Sequence, residues 1–115
     1  ISFQTLELIN AMQQDSKIKI KEIRVDGGMV NNTNFTQSLA NIAQIRIIKP
    51  DNIETTSLGV AYLAGLHTGA IKNTSSIIKL WKANKIYTPK IKRNEIKVEI
   101  LNWKKTIKLL INSNL

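Results

Sequence analysis

Residues 23–32 read IRVDGGMVNN, and the reading of this stretch decides the fold. Ile23 and Val25 are β-branched and close a strand-like run; an acid, two adjacent glycines and a pair of asparagines follow. Neighbouring glycines directly after a strand are costly in backbone entropy. Either the chain turns there with φ above zero, or something approaches its backbone closely. From this stretch alone the two readings stand level.

Upstream, KIKIKEIRV (17–25) alternates Lys with Ile and predicts a strand ending near Val25. Before it, Phe3, Leu6, Ile9 and Met12 recur every three residues without Gly or Pro, which predicts a helix over 2–14 broken by Asp15 and Ser16. Downstream, Asn31 or Asn32 is suited to cap a helix, because its side chain can accept from the first orphan backbone donors. Phe35, Leu39 and Ile42 then share one helical face. IRIIKP (45–50) is a short apolar run stopped by Pro50, a second strand.

DNIETTSLGVAYLAGLHTGA (51–70) opens on polar capping residues and continues as a helix, with Leu58, Ala61, Tyr62, Gly65 and Leu66 on one side. Gly costs about 1 kcal/mol against Ala inside a helix. Gly59, Ala64 and Gly65 therefore predict another backbone packed very close, and Gly69 is a natural stop. Residues 75–84 are expected to form a short helix and IYTPKI (86–91) an extended link around Pro89. In the last helix Ile96, Ile100, Trp103, Ile107, Leu110 and Ile111 form an apolar stripe, with Asn94 as its cap.

The order helix, strand, helix, strand, helix is α/β, and short strands favour a parallel pair joined by a right-handed crossover. Two strands are too few to cover both helix faces, so further strands are expected from the rest of a larger domain. The chain lacks an initiator Met, which fits a start partway through a longer product.

Composition narrows the class further. The 115 residues are 43% hydrophobic and contain no cysteine, which argues against wholesale disorder, disulfides and thiolate metal sites and suits a cytoplasmic protein. No apolar run approaches the roughly 20 residues of a membrane span. The net charge is +9, with Lys90, Lys92, Arg93, Lys97, Lys104, Lys105 and Lys108 set against Glu95 and Glu99. Such a surface attracts polyanions. Arginine and aromatic residues are sparse, however, so a solvated basic face is favoured over a nucleic-acid site. An abundance of Lys, Ile and Asn also fits a bias of genome composition.

No complete catalytic constellation emerges. The strand–Asp-Gly-Gly–helix unit lets a ligand rest against Gly27 and Gly28, with helix N–H groups facing anions. Ligands of open α/β sheets sit at such strand ends. The signatures GxxxxGK[ST] and GxGxxG are both absent. His67 is the lone histidine and is read as structural. Asp26 is read as a turn former ahead of a base or metal ligand. Ser57 lies in no nucleophile elbow, and Trp81 and Trp103 are assigned to core or interface.

VDGGMVNNTNFTQSLANIAQIRI, then PDNIETTSLGVAYLAGLHTG and the closing NWKKTIK resemble, in that order, the C-terminal region of the glycerol kinase family. That family belongs to the sugar kinases, which share the RNase H-like ATPase fold of actin and hexokinase. The resemblance implies a partial domain of that fold over 1–115, the second, nucleotide-binding domain. It implies that Gly27 and Gly28 form the adenosine loop, that Gly28 and Asn32 contact ATP or ADP, and that Met29 lies beside the nucleotide. The helix from Thr55 to Gly69 would pack behind this loop.

The implied reaction is Mg²⁺-dependent transfer of the ATP γ-phosphoryl to the 3-hydroxyl of glycerol. Its catalytic Asp, phosphate loop, Mg²⁺ ligands and glycerol pocket are expected outside these residues, leaving no catalytic or metal residue here and an inactive isolated chain. Homo-oligomerisation stays open. Asn34, Asn41 and Asn102 depart from the family's common residues. The alternatives are another sugar kinase of the group, or a degenerate basic module binding nucleic acid through its Lys-rich end.

Overall fold

The computed structural model describes residues 1–113. Its elements are α1 (Ser2–Ser16), β1 (Glu22–Arg24), a 3-10 turn (Gly28–Asn31), α2 (Thr33–Ala43), β2 (Arg46–Pro50), α3 (Thr55–His67), α4 (Thr74–Leu80), β3 (Ala83–Tyr87) and α5 (Arg93–Ser113). Strand order is β1-β2-β3. The expected parallel pair is present, with Ile23 opposite Ile47 and Arg24 opposite Ile48.

The central strand is apolar because it is covered. Ile47 and Ile48 are both buried, and Ile47 packs with Leu39 and Ala40 of α2 and with Tyr87. Ile23, Val25 and Ile45 close the edge of this cluster. A surface ion pair, Arg46–Glu22 at 3.7 Å, joins β1 to β2 and contributes little at that exposure.

Four local expectations are corrected. First, β1 is only Glu22–Arg24, although Lys17–Ile20 also alternate. α1 continues through Asp15 and Ser16 and ends where Lys17 turns left-handed (φ 57°). Ser16 Oγ donates to Met12 O and accepts from Ile18 N, while Ile20 N donates to Gln13 Oε1. Ile18 N and Ile20 N are thus satisfied by α1 side chains in place of a strand partner.

Second, the segment expected as a helix to residue 84 stops at Leu80. Trp81 turns extended (φ −72°, ψ 126°), with the Arg24 guanidinium 3.9 Å from its ring centroid. The chain then adds β3 antiparallel to β2, pairing Ile47 with Tyr87 and Ile48 with Ile86. Ile86 is exposed and only Tyr87 is buried, so this strand leaves almost no alternation in the sequence.

Third, Asn94 does not cap α5. The helix begins at Arg93, and Glu95 N and Ile96 N donate to Lys92 O. The apolar stripe of α5 is covered only in part: Ile96 is buried, Leu110 and Ile111 are exposed, and Trp103 stacks on Phe3 at 5.4 Å with Nε1 donating to Glu7 Oε1.

Fourth, α3 buries none of its residues among those described. Leu58, Tyr62, Gly65 and Leu66 are half-buried, and Ala61 is exposed. Of the close backbone that Gly59, Ala64 and Gly65 predicted, the described residues supply one stretch at Gly65, where Ile71 N donates to Gly65 O at 2.9 Å, and none at Gly59. A Cβ on Gly59 would meet nothing within 4 Å, and one on Gly65 would meet the Ile71 side chain at 2.8 Å.

Two departures from the family pattern are explained by this packing. Asn41 Oδ1 accepts from Lys90 N and from Gln37 Nε2, which ties the Thr88–Ile91 link to α2 through an oxygen that Asp also carries. Asn34 is exposed on the first turn of α2, so nothing is lost from the core. Nothing in the structure explains Asn102.

Candidate functional site: the Asp26–Asn32 turn

The turn leaves the carboxyl end of β1 beside its parallel neighbour, where ligands of open α/β sheets bind. Val25 N donates to Ile48 O and Gly27 N to Ile53 O, both at 3.1 Å, so the turn is anchored to β2 and to the segment entering α3. The Asp26 carboxylate accepts from Thr55 Oγ1. Lys49 Nζ donates to Asn31 Oδ1 at 2.7 Å. Beneath the turn Val30 is buried, and Thr36 Oγ1, fully buried, lies within hydrogen-bond distance of Val30 O and Asn32 O. The base of the turn is fixed while its outer side stays open.

The two glycines have different reasons to be glycine. Gly27 sits at φ 80°, ψ 171°, a region essentially restricted to glycine. Gly28 has no positive φ, and a Cβ built on it would meet nothing within 4 Å among the described residues. The fold therefore demands Gly27 and makes no demand on Gly28. Met29, next to it, exposes 53% of its surface.

Asn32 is the N-cap of α2: its Oδ1 accepts from Asn34 N at 3.0 Å and Phe35 N at 3.1 Å. This agrees with the capping role expected for Asn31 or Asn32. It also corrects the expectation that α2 turns free N–H groups toward an anion. Asn34 N and Phe35 N are taken by the cap, and Thr36 N donates to Asn32 O. What Asn32 can still offer a ligand is its amide Nδ2, a donor.

Gly27, Gly28, Met29 and Asn32 therefore share one short turn whose open side combines bare backbone, an exposed thioether side chain and one amide donor. That suits the flat, partly apolar face of a nucleoside better than a phosphate. The tethers from Thr55, Ile53 and Lys49 could not be read beforehand, since they join positions far apart in the chain and no spacing rule links them.

The other candidates stay apart. Asp26 is engaged by Thr55, a long-range contact in place of the local turn role expected of it. His67 is exposed in the last turn of α3. Among the described residues no three His, Cys, Asp or Glu gather to hold a metal ion. No helix among them is long and apolar enough to cross a membrane.

The described residues thus form a helix-rich α/β layer with a small mixed sheet and an open glycine turn at the end of a parallel strand. Residues 1–68 match the C-terminal domain of the FGGY family of carbohydrate kinases, and the chain belongs to that family. It is 40% identical over 107 residues to a glycerol kinase of Deinococcus radiodurans, covering 93% of this chain and 21% of that protein. It is 42% identical over 108 residues to a glycerol kinase of Borrelia duttonii, covering 93% and 22%.

Among solved structures, a glycerol kinase of Plasmodium falciparum with ADP superposes with TM-score 0.79 at 28% identity, covering 93% of this chain and 22% of that one. A ligand-bound xylulose kinase of Lactobacillus acidophilus shares the fold, with TM-score 0.65 at 22% identity over 83% of this chain and 19% of that one. The chain spans about a fifth of the length of the relatives it matches. The expected sugar-kinase relationship and fold class hold, and this family membership favours the kinase reading over the basic nucleic-acid module.

Proposed function

We propose that this chain is the C-terminal part of an ATP-dependent glycerol kinase, and that its Asp26–Asn32 turn receives the adenosine of ATP and ADP. The observation that carries the site is Gly28, a glycine with no positive φ and open space above it. A residue under no internal demand for glycine is explained by a ligand resting on its backbone. Met29 supplies an apolar side chain beside the base, and the Asn32 amide donates toward the nucleoside while its oxygen holds α2. The relatives named glycerol kinase and the ADP-bound P. falciparum structure support nucleotide use.

In the reaction the bond from the γ-phosphorus to the ADP oxygen breaks and one to the glycerol 3-oxygen forms; positioning and charge stabilisation supply most of the catalysis. This chain contributes positioning: it holds the adenosine end so that the triphosphate points toward the rest of the enzyme. Mg²⁺ neutralises charge on the phosphates in such reactions, and the described residues offer no ligand cluster for it; its ligands, the base and the glycerol pocket belong to the remaining protein. Cytoplasmic location is part of this proposal.

A chimera tests the reading: the D. radiodurans enzyme with its matched 107 residues replaced by this chain. Glycerol- and ATP-dependent formation of glycerol 3-phosphate is expected. A folded chimera that binds no ADP and turns over no glycerol would overturn it.

A further inference from the structure

We propose that the cleft enclosed by α1, the carboxyl end of α2 and the first turns of α5 binds a phosphate monoester that carries an apolar body. This second site goes beyond the kinase reading and does not depend on it.

The cleft is made by this chain's own packing. Its walls come from α1, from Lys19 and Ile20 ahead of β1, from Gln44 and Ile45 between α2 and β2, and from the first turns of α5. Its volume is about 860 Å³, the size of a ligand pocket rather than of a packing gap. Contacts within the chain hold the walls in place. Ile20 N donates to Gln13 Oε1 at 2.8 Å, which ties the segment after α1 back to that helix. Gln44 Nε2 donates to Asn41 O at 2.6 Å and to Ile91 O at 3.0 Å, which ties the end of α2 to the link entering α5. The Phe3–Trp103 stack sets α5 against α1.

The lining has two characters. Ile9, Ile42, Ala43 and Ile96 are buried around it, and Ile20 and Ile100 are half-buried, so its floor is apolar. Three exposed cations join them: Lys19 from one wall, and Arg93 and Lys97, one helical turn apart, from the other. No Asp or Glu lines the cleft. Among the described residues none of the three cations lies within 4 Å of a carboxylate. Like charges gathered around one recess repel, and an anion placed between them removes that cost. A phosphate dianion answers three cations better than a carboxylate does, and a guanidinium holds it bidentately. The apolar floor meanwhile favours a body that leaves water.

The cleft is separate from the nucleotide turn. Residues 19–20 and 44–45 precede β1 and β2, so it lies at the amino ends of this parallel pair, whereas the glycine turn leaves the carboxyl end of β1. α2 runs from one to the other, with Asn32 capping it at the turn and Ala43 lining the cleft. The monoester should therefore bind together with ADP and not in its place.

The experiment is isothermal titration of decyl phosphate, below its micellar concentration, into the 115-residue chain and into the chimera. Expected is one saturable site in each protein, unaffected by saturating ADP and weakened by salt. Inorganic phosphate and decanol, which carry only the head or only the body, should each bind at least tenfold more weakly. Arg93→Glu and Lys97→Glu change exposed side chains and spare the core; each should weaken decyl phosphate about tenfold, as the loss of a charged hydrogen bond does. Lys105→Glu, on the same helix and outside the lining, should stay within twofold.

Equal weakening by Lys105→Glu would assign the binding to the basic surface at large and overturn the site. So would the absence of saturable binding, competition with ADP, or inorganic phosphate binding as tightly as decyl phosphate. Binding to the isolated chain and not to the folded chimera would show the cleft filled by the rest of the enzyme, and would also overturn it. The nucleotide reading is decided separately, by ADP binding to the chimera.

Discussion

The Thr55 hydroxyl donates to the Asp26 carboxylate across 29 positions of sequence, joining the end of β1 to the first residue of α3. With the Gly27 N–Ile53 O bond it holds the glycine turn against the segment between β2 and α3. An acid that reads as a generic turn former in the sequence thus acts as a tether. Both groups lie near solvent, so the bond adds below about 1 kcal/mol to stability; its effect falls on the shape of the turn.

Thr55→Val and Asp26→Ala should each leave the melting temperature of the chimera nearly unchanged and weaken ADP binding severalfold. The double variant should be no worse than the weaker single one, because both remove the same bond. Isothermal titration of ADP into the three proteins checks this, and additive losses would show that the two residues act separately.

Asn32 has two duties, and substitutions separate them. Asn32→Ala removes the cap and should cost about 1 kcal/mol of stability as well as nucleotide affinity. Asn32→Asp keeps an oxygen for Asn34 N and Phe35 N but loses the amide donor. It should retain stability and still bind ADP more weakly. If Asn32→Asp binds ADP as the unaltered protein does, Asn32 is a cap and nothing more.

Ile47, fully buried on β2, is the centre of the small core. Ile47→Ala should destabilise by about 2–5 kcal/mol, a large share of the roughly 5–15 kcal/mol that holds a domain together. The fall should appear as a lower urea midpoint of the chain, whereas Leu109→Ala, at an exposed position of α5, should leave it within about 0.5 kcal/mol.

The isolated chain should show no glycerol phosphorylation above a buffer blank with Mg²⁺ and ATP present. On the proposed reading these residues position the nucleotide and the base lies elsewhere in the enzyme. Turnover well above the blank would place the chemistry within these residues.

What could be read in advance follows from how local each signal is. The Asn32 cap, the Phe35–Leu39–Ile42 face and the IRIIKP strand were legible, since each depends on neighbours a few residues away and on burial against one layer. β3 was not, because ANKIY becomes a strand only through the free edge of β2, and its single buried residue, Tyr87, leaves no alternation. The Lys17–Ile20 alternation misled for the opposite reason: it has the period of a strand and no partner to pair with. The glycines of α3 predict a close neighbour, and the described residues provide one for only one of them. Gly65 answers to Ile71, and Gly59 answers to nothing among the described residues. The glycine turn was found from the sequence, but the division of labour within it depends on backbone angles that residue types do not carry.

That division gives the most direct measurement. In the chimera, ADP affinity and melting temperature are compared for Gly27→Ala and Gly28→Val. Gly27→Ala forces a Cβ into a glycine-only conformation and should lower stability by about 1–3 kcal/mol. Gly28→Val should leave stability within about 0.5 kcal/mol and weaken ADP binding at least tenfold, about 1.4 kcal/mol. A Gly28→Val protein that folds normally and binds ADP as tightly as its parent would contradict the central claim that the nucleotide rests on this turn.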